Sequence, residues 1–306
     1  MIKNKNVFWT CVAILACILW GVSSLCAKIV FNLGPSTNAL FVSQVRMLGS
    51  GLILLVMAAM LKSGPFSVWK NKKDAILITL AAILGTIPLQ FAYYMAVETG
   101  NPASATVLQF VGPFFTIALQ AVMQKVWPNR SDFIAAIIAF LGIILLATNG
   151  HLHELAIKPV VIFWGLLSAV GVATNAVLVQ KILQHKHSPV AVSAWQILLA
   201  GIVLVILHPT HGKIDYNLAF ILPMTFIIVM GTIVPYILAN NALKHISATT
   251  FTITDAFEPV AAMIGSAVLF NLQMTPAYLL GAFLVVFSVL FMSIVPVIVV
   301  WRKQLG

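Results

Sequence analysis

The chain reads as a succession of apolar runs parted by short polar breaks. Cutting it at charges and at clusters of Pro, Gly and Asn leaves ten apolar segments, approximately 8–28, 38–61, 75–97, 103–124, 132–149, 159–181, 190–207, 218–240, 248–270 and 277–300. A helix that crosses a bilayer needs about 20 apolar residues in a row. The pattern therefore predicts an all-α membrane protein of ten transmembrane helices with almost no chain left for a soluble domain.

Composition supports the same class. Of 306 residues, 61% are hydrophobic, and 17 Lys+Arg with 7 Asp+Glu make up all the charge; a soluble domain carries roughly a quarter charged residues. The 14 prolines and 18 glycines are no objection, because spanning helices tolerate both where neighbours re-satisfy the backbone. The net charge of +10 takes a membrane reading, and nucleic acid is excluded as a partner. With the N-terminus placed in the cytoplasm, Lys3, Lys5, Lys62, Lys70, Lys72, Lys73, Lys125, Arg130, Lys181, Lys186, Lys244, Arg302 and Lys303 all fall on that side, which is 13 of the 17. Only Lys28, Lys158 and Lys213 fall opposite, and Arg46 lies inside the second segment. That asymmetry is the positive-inside rule and predicts an N-in, C-in protein. Lys3 and Lys5 resemble the start of a signal peptide, yet the run from Val7 to Ala27 is too long for a cleaved one and reads as an uncleaved first span. Cys11, Cys17 and Cys26 are too far apart along one helix to pair and read as small apolar filler.

The two halves repeat. A shift of 146 residues lays Ala96, Thr106 and Pro113 on Ala242, Thr252 and Pro259. Nearby offsets pair Ile87-Pro88 with Val234-Pro235, Gln44 and Gly49 with Gln196 and Gly201, and Gly21 with Gly171. The matches follow chain order, which isolated coincidences do not. Residues 1–150 and 151–306 are thus expected to be two five-helix repeats. An odd number of spans turns the second copy upside down, and inverted repeats of this kind enclose mid-membrane substrate sites in many secondary transporters.

Ten spans, the paired halves, Trp20-Gly21 in the first helix, the stretch from Ala103 to Pro113 and "ISATTFTITDAFEPVAA" from Ile246 to Ala262 together resemble the drug/metabolite transporter superfamily, EamA type. The resemblance covers the whole chain. It implies a central cavity among helices 1, 3, 4, 6, 8 and 9 and the export or exchange of small metabolites, amino acids among them. Family members often carry Glu just after helices 4 and 9, where this chain has Lys125 and Asn271.

Ionisable groups within hydrocarbon are costly and mark function by default. Arg46, Asp255 and Glu258 sit well inside spans. Asp255 and Glu258 are three residues apart and share a helix face, beside Pro259, which removes an amide donor. Two carboxylates that close in low dielectric cannot both ionise cheaply, so a proton site is expected, and Arg46 could neutralise one of them. The opposing reading has Glu258 paired with Arg46 as a buried strut while Asp255 caps a broken helix. On the helices that the resemblance assigns to the cavity, the substrate-binding candidates are Trp20, Ser24, Gln90, Tyr93, Tyr94, Thr106, Gln109, Asn175, Asn240, Asn241 and Thr254, with Thr174 beside them. For each Asn, Gln or Thr an interhelical hydrogen bond is the competing role. Gln44 and Gln196 read as such glue, and Trp164 and Trp195 as interfacial anchors. Helices 5 and 10 read as packing elements.

His151, His153, His208 and His211 fall in outer loops at spacings that fit no zinc signature, so no metal is expected, and no other cofactor. Asn129-Arg130-Ser131 matches a glycosylation triplet but on a cytoplasmic loop. No phosphate-binding G-x-x-x-x-G-K-[ST] occurs, so any active transport draws on a gradient. The expected protein is a bacterial multi-pass secondary transporter of the cytoplasmic membrane. It would move a small organic metabolite outward by alternating access, with import as the alternative within transport and a homodimer left open. An intramembrane enzyme using Asp255 and Glu258 as an acid/base pair is the rival class, disfavoured because no His or second acidic pair within the spans completes a catalytic set.

Overall fold

The computed structural model describes residues 2–125, 127–151, 155–209, 214–242, 245–246 and 248–305, and among them there are helices and no strands. Asparagine starts many of the helices. Asn38, Asn101 and Asn217 each accept, through Oδ1, the backbone amide three residues on, and Asn71 the one two residues on. This satisfies donors that a helix start leaves open. They begin α2 (Ala39–Met60), α4 (Pro102–Gln124), α8 (Leu218–Ala242) and α3 (Lys72–Thr99). Asn129, of the glycosylation triplet, forms a capping box with Asp132 at the start of α5 (Arg130–Thr148). Proline occupies the first turn of α6 (Pro159–Gln184), α7 (Pro189–Leu207) and α10 (Pro276–Leu305), where its missing N–H costs nothing. α1 covers Ile2–Phe31.

The helices α1 to α8 are long and apolar enough to cross a bilayer, and the last two regions contribute the shorter apolar helices Phe257–Phe270 and Pro276–Met292. Two helices are broken in the same way. α4 consists of Pro102–Gln109 and Gly112–Gln124, and α9 of Ala248–Asp255 and Phe257–Phe270. Pro113 and Pro259 lack the N–H that would reach the carbonyls of Gln109 and Asp255, the very residues at which the first pieces stop. Both second pieces end in a left-handed residue, Lys125 at φ 55° and Asn271 at φ 51°. The positions where these two residues replace the family's usual Glu are therefore matching helix ends.

α3 and α8 share a different irregularity. α3 runs Lys72–Leu80, Ala81–Thr86, Pro88–Ala92 and Tyr93–Thr99, and α8 runs Leu218–Ile228, Val229–Ile233 and Val234–Ala242; the inner stretches Ala81–Thr86, Pro88–Ala92 and Val229–Ile233 widen into π turns. Pro88 opens the second wide stretch of α3 and Pro235 lies two residues past that of α8, and wide turns commonly absorb the defect that a missing donor leaves. In each helix a threonine hydroxyl bonds the carbonyl five residues back, Thr86 to Ala81 at 3.2 Å and Thr232 to Ile227 at 2.8 Å.

The halves exchange partners. α2 packs on α7 and α5 on α10, while α1 lies against α8 and α9, and α6 against α3 and α4. Small residues permit the tightest crossings. A Cβ at Gly142 would stand 2.8 Å from the Gly281 carbonyl oxygen, and one at Gly21 would stand 2.7 Å from that of Glu258. Gly21 thus brings α1 directly against the break in α9.

Candidate functional site

Between these exchanged partners lies a cavity of about 300 Å³, at the small end of the range typical for ligand pockets. Its wall comes from both halves. α1 supplies Trp20, Ser23 and Ser24; α2 supplies Arg46; α3 supplies Leu89, Gln90, Tyr93 and Tyr94; α4 supplies Thr106, Gln109, Phe110 and Pro113. From the second half come Val172, Tyr236, Phe251, Asp255, Glu258 and Val289.

The broken helices explain much of this placement. Gln109 and Asp255 occupy matching ends of the first pieces of α4 and α9, and Glu258 lies in the first turn of the second piece of α9. The unpaired amides of a helix start favour a negative charge. Gln109 Nε2 donates to the Leu89 carbonyl at 2.9 Å, and Tyr93 Oη lies 2.7 Å from Thr106 Oγ1, so the α3 and α4 walls are tied together. Trp20 meets Tyr236 edge to face at 5.9 Å between ring centres.

Arg46 has its own holder. Its Nε donates to Thr232 Oγ1 at 2.8 Å, its Nη2 reaches the Gly231 carbonyl at 3.4 Å, and the guanidinium sits 5.0 Å from the centre of the Tyr94 ring. Gly231 is the residue whose helical donor Pro235 removes, so the arginine serves a carbonyl that the α8 turn leaves short. The buried strut does not form: among the described residues the ion pairs within 4.0 Å are those of Asp74 with His185 and His187, and none joins Arg46 to Asp255 or Glu258. Asp255 instead accepts from the Cys17 thiol at 3.6 Å. Cys17 is thus more than apolar filler.

Several buried polar atoms on this wall make no hydrogen bond of ordinary geometry within the protein. Ser23 Oγ, both amide atoms of Gln90 and Tyr94 Oη make up four of six such side-chain atoms among the described residues. Buried polar groups are nearly always bonded, so their concentration on one cavity wall points to a polar occupant.

Ten of the residues singled out from sequence therefore meet here: Trp20, Ser24, Arg46, Gln90, Tyr93, Tyr94, Thr106, Gln109, Asp255 and Glu258. Others do not. Asn175 Nδ2 donates to Thr86 Oγ1 at 3.0 Å and to Gln196 Oε1 at 2.9 Å, which makes it glue between α3, α6 and α7. Asn241 bonds the Ile237 carbonyl and Thr254 that of Phe251, and Thr174 bonds Val170 on an exposed face. The side chain of Asn240, together with all of His153, His211, Lys213 and Lys244, lies outside the described residues. Gln44 joins α2 to the Leu204 and His208 carbonyls. Trp195 is a clamp, donating to the Pro65 carbonyl at 2.6 Å, and Trp164 packs on Phe91.

Among the residues not anticipated, Tyr236 had a signal, because a shift of 146 lays Gln90 on it. Val289 corrects the purely packing role given to helix 10, since it reaches the cavity. Lys28, placed among the outer charges, donates to the carbonyls of Val97, Glu98 and Gly100 at 3.1, 2.9 and 2.8 Å. It finishes the end of α3, while Glu98 accepts the amide of Ala39 at 2.9 Å and starts α2.

Comparison with known proteins agrees with the geometry. The EamA-like transporter family model matches twice, over residues 7–148 and 159–294. The uncharacterised inner membrane transporter YicL of Salmonella typhimurium is 27% identical over 92% of this chain and 93% of its own. An uncharacterised transporter in the sor 3′ region of Acidianus ambivalens is 23% identical over 67% of this chain and 74% of its own. One solved crystal structure superposes with a TM-score of 0.62 at 14% identity, covering 94% of this chain and 97% of that one, which extends the likeness to the fold. The chain is a member of the EamA-like transporter family, a multi-pass transporter of the cytoplasmic membrane rather than an enzyme.

Proposed function

We propose that the protein exports a small organic metabolite by alternating access, with the central cavity as its substrate site. On this reading the ten segments are ten crossings, N-in and C-in, and residues 1–150 and 151–306 are inverted five-helix repeats that rock about the cavity. The observation that carries it is the cavity itself: both halves line it, and it gathers Arg46, Asp255, Glu258 and the buried polar groups of Ser23, Gln90 and Tyr94. Apolar and aromatic walls with a few placed polar groups suit a small polar or amphiphilic molecule.

Two carboxylates face one guanidinium here, and Arg46 is engaged by Thr232 and not by either acid. An uncompensated negative charge in hydrocarbon is costly, so the site should bind a proton, a cation or a cationic group of the substrate. A proton is the simplest choice, and it would couple transport to a pH gradient.

The test is counterflow in liposomes against panels of amino acids, sugars, polyamines and cationic dyes. The expected result is exchange of one chemical class, abolished by Ser24→Trp with normal membrane abundance. Exchange that survives Ser24→Trp would remove the cavity from the transport path.

A further inference from the structure

Asp74 lies at the start of α3, 2% exposed, and both of its oxygens are taken by imidazoles from just past the end of α6: Oδ1 by His185 Nδ1 at 2.6 Å and Oδ2 by His187 Nε2 at 2.9 Å. His187 Nδ1 is in turn 2.9 Å from Ser67 Oγ. Asp74 and Ser67 belong to the first matched half, and the two histidines to the second. None of the four lines the cavity. α3 runs from Asp74 at this end to the Lys28 contacts at the other, so the cluster ties the halves together at one end of the molecule only.

We propose that Asp74, His185 and His187 form a second protonation site, separate from the cavity, whose proton occupancy sets how firmly the two repeats grip each other at this end. With neutral rings, each histidine donates one N–H to the carboxylate, and His187 Nδ1 accepts from the Ser67 hydroxyl. A proton then adds at His185 Nε2 or at His187 Nδ1; in the second case Ser67 turns from donor to acceptor. Either step places a cation against the buried carboxylate, and the attraction between opposite charges held away from bulk water adds to hydrogen bonds that the carboxylate's own charge already strengthens. Imidazole is the side chain that titrates near neutrality, so acidification tightens the grip and alkalinisation loosens it.

The other charged groups on the elements packed here are the exposed lysines 62, 70, 72, 73, 181 and 186; the remaining acid, Glu98, is at the opposite end of α3, bonded to Ala39. The neighbouring clamp of Trp195 on the Pro65 carbonyl and on the Phe66 and Trp69 rings does not titrate, so a pH response falls to the histidines. On the topology proposed above this end is cytoplasmic, and the site would favour closure toward an acidified cytoplasm.

The inference rests on the rocking-repeat reading, and its test does not need the substrate. Spin labels on cysteines at Lys70 and Gln184, with Cys11, Cys17 and Cys26 replaced, report the distance between the halves in liposomes by pulsed electron resonance. Near pH 6 the distribution should be short, and near about pH 8 a longer population should grow in. Asp74→Asn should lengthen it at both values. The His185→Gln/His187→Gln variant, which leaves the carboxylate in place, should lose the pH response. A wild-type distribution that does not move with pH, or a shift that survives in the double histidine variant, overturns the proposal. If wild-type protein in the same liposomes shows no counterflow, the failure lies with the transport reading instead.

Discussion

Glu258 enters the cavity from the first turn of a half-helix, and Asp255 enters from the end of the preceding half, next to the Cys17 thiol. If the pair carries a proton, Glu258→Gln should still exchange substrate across liposomes but lose accumulation driven by a pH gradient. Loss of exchange itself would mean that the carboxylate recognises a substrate amine. Asn175 gives the opposite expectation. Bonded to Thr86 and Gln196, it should act through stability: Asn175→Leu should cost up to about 1 kcal/mol per lost bond, seen as a lower melting temperature. At this scale the sequence was informative where a polar group broke an apolar run, because burial in hydrocarbon makes such groups expensive; Trp20, Gln90 and Tyr94 were legible for that reason or for their ring chemistry. Asn175 and Thr254 were not separable from them. Lipid and protein core are both apolar, so a spanning helix has no strong amphipathic stripe to fix which side faces the cavity.

The elements carry the pseudo-symmetry more plainly than single residues do. Pro113 and Pro259 stand at the breaks in α4 and α9, and the helices end at the carbonyls those prolines leave without a donor; the sequence paired the two prolines without showing that both helices stop there. The π turns of α3 and α8 were less readable. Pro88 and Pro235 mark a defect, but whether a kink, a break or a wide turn absorbs it depends on what packs beside it, here Asn175 at Thr86 and Arg46 at Thr232. The two wide turns consequently differ, one held by a neutral amide and the other by a cation on the cavity wall. Packing between elements gives its own expectation. A methyl at Gly142 would collide with the Gly281 carbonyl at the α5–α10 crossing, so Gly142→Ala should cost about 1–3 kcal/mol. Its signature is reduced folded yield in the membrane with counterflow per folded molecule unchanged.

For the whole molecule, the apolar segments and the paired halves pointed to a two-repeat membrane transporter, and the family match over both halves agrees. What they could not foretell is the exchange of partners, with α1 against the second half and α6 against the first, or the Asp74 cluster, whose members lie more than a hundred residues apart. Orientation is open to a simple check: cysteines at Lys186 and Asn32 should be labelled from the cytoplasm and from outside respectively, and labelling of both from one face would break the ten-crossing topology. The central claim is that one cavity between the halves opens alternately to the two sides. A cysteine at Gln90, in protein whose native cysteines are replaced, tests it with a membrane-impermeant thiol reagent applied separately to each face of oriented vesicles. Alternating access predicts labelling from both faces; labelling from one face alone, whatever the pH or gradient, would contradict it.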